Sequence, residues 1–254
     1  MLNKHLQPSA LVIREQFSPH QVFDNLIDDN IYRKLYKNFP KATLFRDENP
    51  KVRKHNQRPH VRKYMCTGSI ETTPALSEFH VDPNILPKIW QGFVDYILKG
   101  SEYRYWISDL LEILPNDFNL RLDWHRTLNG HDVSPHVDSV TKLGSHLIYF
   151  MPESWGTTSH GGKTIFFSGK NTDRMNPEAN DFNSYIEIEN VGNRSCVFKN
   201  SSNGWHGVTK TVCDEKTHRQ IFNIVILKKS VKKKKVQKIN IFSKLLNKTK
   251  KLMQ

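Results

Sequence analysis

Seven short apolar segments follow one another after Pro115: "LRLDWHRTL", "GSHLIYFM", "GKTIFFS", "SYIEIEN", "SCVFKN", "GWHGVTKT" and "RQIFNIVIL". Gly, Asn, Asp and Pro separate them, and each is too short for an independent helix. Such runs read as strands, and regular spacing with turn residues between them specifies an antiparallel sandwich or barrel. The preceding part has a different texture. "SALVIREQF" alternates well enough for an opening strand, and Ser18-Pro19 has the form of a helix N-cap with proline at N1. "HQVFDNLIDDNIYRKLYKNF" then predicts a helix ending at Pro40, followed by a mixed, loop-rich stretch over 41–80. From Asp82-Pro83, the residues Leu86, Ile89, Trp90, Phe93 and Ile97 recur at three- and four-residue steps, predicting a second helix closed by Gly100. "SEYRYWISDLLEIL" predicts a further short helix before Pro115. The expected fold is mainly β with N-terminal helices, a double-sheet jelly roll supported by those helices. Residues 1–118 form the N-terminal strand and helical support within the same domain, 119–227 the core, and 228–254 a tail.

A chain of 254 residues can bury one substantial core. No apolar run approaches the roughly 20 residues that span a bilayer, and the N-terminus lacks the longer apolar stretch and cleavage site of a secretory signal. The three cysteines, Cys66, Cys196 and Cys213, are too few and too irregular for a disulfide framework or a thiolate zinc site, so a cytoplasmic setting is expected. The net charge of +13 invites a nucleic-acid partner, but eleven lysines and no acid lie in 228–254, which leaves +2 on the body. Nucleic acid is therefore not an expected partner of the folded body. Within the tail, "KKSVKKKK" is a charge block expected to be disordered. Ile239, Phe242 and Leu246 then stand at helical spacing among lysines, a pattern that suits an anionic membrane surface or weak RNA binding. A solvated tail without a specific partner is the plainer expectation. The acid-free stretch "KVRKHNQRPHVRK" (51–63) reads as a solvated loop, with contact to an anionic substrate as the alternative.

The tripeptide His-Val-Asp occurs twice, at His80 and at His136. His80 precedes Asp82-Pro83, where the carboxylate is explained by capping the helix that follows. His136 and Asp138 lie instead among the strand candidates, and in an extended segment residues i and i+2 share a face. An imidazole and a carboxylate therefore converge, and His206, 68 residues beyond Asp138 on another strand-like segment, offers a third ligand. Two histidines and one carboxylate with open positions make the facial triad of non-haem Fe(II) sites. Structural histidines at strand ends are the alternative on spacing alone. "GTTSHGGKT" approximates a phosphate-binding loop but has one residue too many and is followed by strand-like "IFFSG", so that reading is rejected. His146, on a candidate core strand, reads as structural or as lining the pocket.

The run "HRTLNGHDVSPHVD", "SHLIYFMPESW", "GGKTIFF", "SCVFKNSSNGWHGV" and "RQIFNIVIL" resembles the 2-oxoglutarate/Fe(II)-dependent dioxygenase superfamily, in particular its prolyl-hydroxylase-like branch. The resemblance covers roughly 119–227 in the family's order. It implies a double-stranded β-helix (jelly roll, cupin-like) core with Fe(II) held by His136, Asp138 and His206. It further implies that Arg219 pairs with the distal carboxylate of 2-oxoglutarate, for which its planar fork of donors is suited. Tyr149 falls where such proteins place a hydroxyl near the same carboxylate. Two departures stand out: His206 to Arg219 is thirteen residues, with "CDEKTH" as an extended hairpin, and Ile221 replaces a frequent Ser or Thr. Asn223, on the same alternating face as Arg219, is the substitute contact. Asp138 at the carboxylate position favours hydroxylation over halogenation. The implied activity hydroxylates an unactivated C–H with decarboxylation of 2-oxoglutarate to succinate, using O₂ and ascorbate as an auxiliary reductant. A small-molecule or amino-acid-type substrate is expected. A protein side chain (prolyl-type) is the alternative, and a non-catalytic jelly-roll binding protein the second alternative.

Overall fold

The computed structural model describes residues 1–3, 6, 10–12, 17–48, 60–152, 155, 160–214 and 218–229. Strands β1 (Ala10–Val12) and β2 (His20–Phe23) precede helix α1 (Asp29–Lys37), after which come β3 (Arg46–Glu48) and β4 (Arg62–Gly68). Helices α2 (Lys88–Lys99) and α3 (Ser101–Leu111) lead into β5 (Phe118–Thr127), β6 (Val133–His136), β7 (Lys142–Tyr149) and β8 (Thr164–Lys170). The chain then adds β9 (Phe182–Ile188), β10 (Ser195–Lys199), β11 (His206–Val208) and β12 (Arg219–Lys228). An eight-stranded sheet has the order β1-β2-β10-β7-β12-β5-β4-β3, and a four-stranded sheet the order β6-β11-β8-β9. All pairings between these strands are antiparallel. Two facing antiparallel sheets, between which the chain passes repeatedly from β5 to β12, make the double-stranded β-helix expected from the sequence.

The large sheet separates two interiors. On its outer face Leu122 and Trp124 of β5 and Phe222, Ile224 and Ile226 of β12 pack against the apolar stripe of α2, formed by Trp90, Phe93, Val94 and Ile97. Trp90 is fully buried, and its indole N–H donates to the Leu35 carbonyl of α1 at 3.0 Å. On the inner face Tyr149, Cys196, Phe198 and Ile221 meet Phe166 of the small sheet. His146 points outward, where Tyr103 of α3 contacts its Nδ1 at 3.1 Å, so it is structural and does not line the inner cavity.

Three expectations need correction. The helix predicted over 20–39 begins only at Asp29, because His20–Phe23 pairs with β10 and Asp28 caps the helix through the Asn30 and Ile31 amides. Asp82 does cap, accepting from Asn84 N at 2.9 Å, but it caps a single 3₁₀ turn over Pro83–Ile85, and α2 starts at Lys88. Within the supposedly loop-rich 41–80, β4 is a seven-residue strand paired to β5. His60 and Arg62, at the end of the stretch read as a solvated loop, line the inner cavity, whereas 51–59 lies outside the described residues. The tail from 230 also lies outside them. Among the described residues no helix is long and apolar enough to cross a membrane.

Candidate metal centre

β6 is an edge strand of the small sheet, paired only with β11, so Pro135 removes no ladder bond that the strand needs. The pairing sets His136 directly opposite His206. Their rings lie 4.3 Å apart between centroids, and one ligand atom from each of His136, Asp138 and His206 falls within 4.8 Å of the others. His136 Nδ1 donates to the Ser134 carbonyl at 3.1 Å, and His206 Nδ1 donates to the Gly204 carbonyl at 2.8 Å. Both bonds fix the tautomer and leave Nε2 as a lone pair. His206 Nε2 faces Asp138 Oδ2 at 3.9 Å.

The electrostatics favour the ligating forms. Burial, and then His206, push His136 down to about 3, and burial likewise lowers His206, so both imidazoles are neutral at physiological pH. Burial alone would raise the Asp138 carboxyl, but Lys142, His206 and His136 outweigh it and hold the group below its ordinary value. Lys142 binds Asp138 Oδ1, which leaves Oδ2 for the histidine side. Asn200 secures the turn beyond the acid, its Nδ2 lying 2.9 Å from the Ser139 carbonyl and 3.1 Å from that of Lys142.

These three side chains open on a cavity of about 840 Å³ between the sheets, and Arg219 lines the same cavity. Arg219 is 5 % exposed, and no carboxylate pairs with it among the described residues. Its Nε donates to the Gly162 carbonyl. Burial, opposed by Tyr149 and reinforced by Arg62, brings its guanidinium down to about 10, so it stays charged at neutral pH. Gly162 leaves room for it: a Cβ there would lie 2.7 Å from Arg219 Cδ. The Asn190 amide holds this Gly-Gly turn by donating to the carbonyls of Gly161 and Gly162, each at 3.2 Å. A strand follows the turn, as the rejection of a phosphate-binding loop requires.

No protein-family model matches the sequence, and no curated protein matches it. Solved structures do. A Pseudomonas putida prolyl-4-hydroxylase aligns with a TM-score of 0.55 at 13% identity, covering 84% of this chain and 94% of its own. The carbocyclase SnoK from nogalamycin biosynthesis, described as non-heme and alpha ketoglutarate dependent, aligns at 0.54 and 7%, covering 90% and 86%. A Trichoplax adhaerens prolyl hydroxylase, solved with a hypoxia inducible factor peptide fragment, aligns at 0.52 and 13%, covering 82% and 83%. The fold is that of the 2-oxoglutarate/Fe(II) oxygenases.

In this oxygenase fold the remaining sequence candidates fall as follows. Asn223 lines the cavity two residues along β12 from Ile221, and its Oδ1 is buried without a hydrogen-bond partner among the described residues. The Tyr149 hydroxyl donates to Thr164 Oγ1 at 2.7 Å, and it is Thr164 that reaches the cavity surface. Burial raises the Tyr149 phenol, so it remains a donor. His80 is exposed, far from the cluster in role: its Nε2 contacts the Gly68 carbonyl at 3.3 Å. Sequence reasoning missed Lys142, Asn200 and His125, and reached Arg62 only through the alternative that 51–63 meets an anionic substrate. Of these only Lys142, four residues after Asp138, stands at a spacing that signals a local partner. The hairpin before Arg219 includes 215–217, which lie outside the described residues.

Proposed function

We propose that the chain is an Fe(II)- and 2-oxoglutarate-dependent oxygenase that hydroxylates an unactivated C–H of a small-molecule or amino-acid-type substrate. The observation that carries this reading is one cavity holding two Nε2 lone pairs and a carboxylate at ligand spacing together with a buried arginine that has no carboxylate partner among the described residues. The donor set fits Fe(II): two imidazoles and one carboxylate leave half of an octahedron open. Arg219 fits a carboxylate at the other end of a short dianion, and the orphaned Asn223 Oδ1 has a polar partner still to make.

His136, Asp138 and His206 hold the metal, and the Ser134 and Gly204 carbonyls keep both rings turned toward it. Lys142 occupies Asp138 Oδ1, so Oδ2 is the oxygen that would be offered to the metal. Arg219 orients 2-oxoglutarate, with Thr164, itself held by Tyr149, as the adjacent hydroxyl. Iron bound there supplies the coupling of 2-oxoglutarate decarboxylation, with O₂, to hydroxylation of the substrate, giving succinate and CO₂. Ascorbate is an auxiliary reductant in this scheme.

The test is anaerobic addition of Fe(II) and 2-oxoglutarate, which should give a visible charge-transfer band, followed by a succinate assay in air. His136→Ala and Asp138→Ala should each abolish Fe-dependent succinate formation, and His80→Ala should retain it. A properly folded wild-type protein with no band would return the chain to the class of jelly-roll binding proteins. The relatives of similar fold include one solved with a peptide and one from small-molecule biosynthesis. The lower body charge and the cavity between the sheets are compatible with a small molecule, and a prolyl-type protein substrate is the second reading.

A further inference from the structure

Beyond the candidate metal ligands and Arg219, the inner face of the large sheet carries a second group of polar side chains. β4, β5 and β12 are neighbours, and their registers place Arg62, Thr127 and Arg219 on one rung. Two strand spacings put the two arginine backbones about 10 Å apart, so Arg62 stands at a separate place on the cavity wall. Its Nε is taken by Glu48, and its Nη1 lies 2.6 Å from His125 Nδ1. A guanidinium has no acceptor, so His125 Nδ1 must accept and the proton must sit on Nε2. That Nε2–H is buried with no hydrogen-bond partner among the described residues, on a side chain that lines the cavity. Thr127 lines the cavity beside it.

From this we infer that Arg62 and His125 form a second carboxylate-binding site, which anchors the carboxylate of the substrate while Arg219 holds 2-oxoglutarate. The inference rests on the oxygenase reading above. The unsatisfied His125 group is a donor, so the ligand must bring an acceptor, and a carboxylate supplies one with a negative charge suited to the neighbouring Arg62 guanidinium. The cavity's charge agrees. Arg62, Lys142, Lys170 and Arg219 line it against only Asp138 and Asp173. Glu48 offsets one of these cations, and a divalent metal and a dianionic cosubstrate cancel, so one net positive charge remains for the substrate. Burial, and then Arg62, Arg219, Arg121 and Lys142, hold His125 neutral, which marks the local field as positive. Glu48 fixes the guanidinium from its Nε edge and does not line the cavity.

The probe is the low-molecular-weight fraction of a cell extract, used untreated and after its carboxylates are capped as methylamides. Fresh 2-oxoglutarate is added afterwards to the full-length Fe(II) protein. The untreated fraction should stimulate succinate formation, and capping should remove the stimulation. Arg62→Gln and His125→Phe, made separately, should each raise the amount of fraction needed for half-stimulation by about tenfold to a hundredfold. The same variants should raise the Kd for 2-oxoglutarate, read from the charge-transfer band, by a clearly smaller factor. Equal stimulation by the capped fraction overturns the proposal. So does an equal rise in both constants, which would assign this wall to the cosubstrate. A charge-transfer band with no stimulation by either fraction leaves the oxygenase reading standing and removes the small carboxylate substrate. Absence of the band in folded wild-type protein removes the oxygenase reading itself.

Discussion

Replacing Gly162 by alanine probes the Arg219 arm of the site without touching a metal ligand. Gly162 has φ +68°, a left-handed conformation that costs an L-residue about 1–2 kcal/mol. The added Cβ would also meet Arg219 Cδ at 2.7 Å, Thr211 Oγ1 at 3.1 Å and Arg219 Nε at 3.3 Å. The side chain in the way is the one whose Nε donates to the Gly162 carbonyl, so relief of the contact withdraws the guanidinium from its place. A charge-assisted hydrogen bond contributes about 1.5–3 kcal/mol, which corresponds to a loss of about tenfold to a hundredfold in affinity for 2-oxoglutarate. The assay is an anaerobic titration of the Fe(II) protein with 2-oxoglutarate, following the charge-transfer band. Mn(II) binding, read by electron paramagnetic resonance, should persist, because Gly162 is not in contact with the three ligands. Thermal melting should show a loss of at least about 2 kcal/mol, from the backbone strain and the lost Arg219 bond to the Gly162 carbonyl together. A 2-oxoglutarate Kd unchanged from wild type, in a variant that shows the expected loss of stability, would refute the assignment of Arg219 to the cosubstrate.

Other outcomes follow from the packing. Burial brings His146 down to about 3 from an ordinary 6.5, so between these values the unfolded chain takes up a proton that the folded chain refuses. Its contribution to stability is whole above pH 6.5 and falls by about 1.4 kcal/mol per pH unit as the pH drops toward 3. His146→Gln should therefore reduce by about one the protons taken up on unfolding at pH 5, measured from the pH dependence of urea denaturation. An unchanged slope would mean that His146 is protonated in the fold. Trp90→Ala, at the junction of α1, α2 and the large sheet, should cost about 3–5 kcal/mol in equilibrium unfolding. A loss below about 1 kcal/mol would mean that the helices are not coupled to the sheet.

The parts of this molecule that were legible in its sequence are those whose determinants are local. α2 announces itself through Trp90, Phe93, Val94 and Ile97, which bury one face at helical spacing. His136 and Asp138 do come together, although β6 stops at His136 and Asp138 lies just beyond it, and His206 opposite His136 completes the group. What escaped was decided at long range. His20–Phe23 carries a helix-like pattern, but its hydrogen bonds go to Ser195–Phe198 on β10. β4 hides behind a basic run, because the polar Arg62 faces a cavity whose other walls come from β5, β12 and the small sheet. Asn200 has no sequence mark at all: its role depends on the turn over 138–142 arriving beside it.

The single-sided pairing of β6 has a consequence for how the fold and a bound metal depend on each other. An edge strand of four residues, interrupted by proline and bonded only to β11, is among the first places at which a sheet would fray. A metal held as proposed by His136 and Asp138 on one side and His206 on the other would be a clamp across that weak seam. Binding energy spent there is local folding energy. The strand that carries the ligands would therefore be the part of the protein whose amide exchange slows most on metal uptake, with the large sheet and its helices almost indifferent.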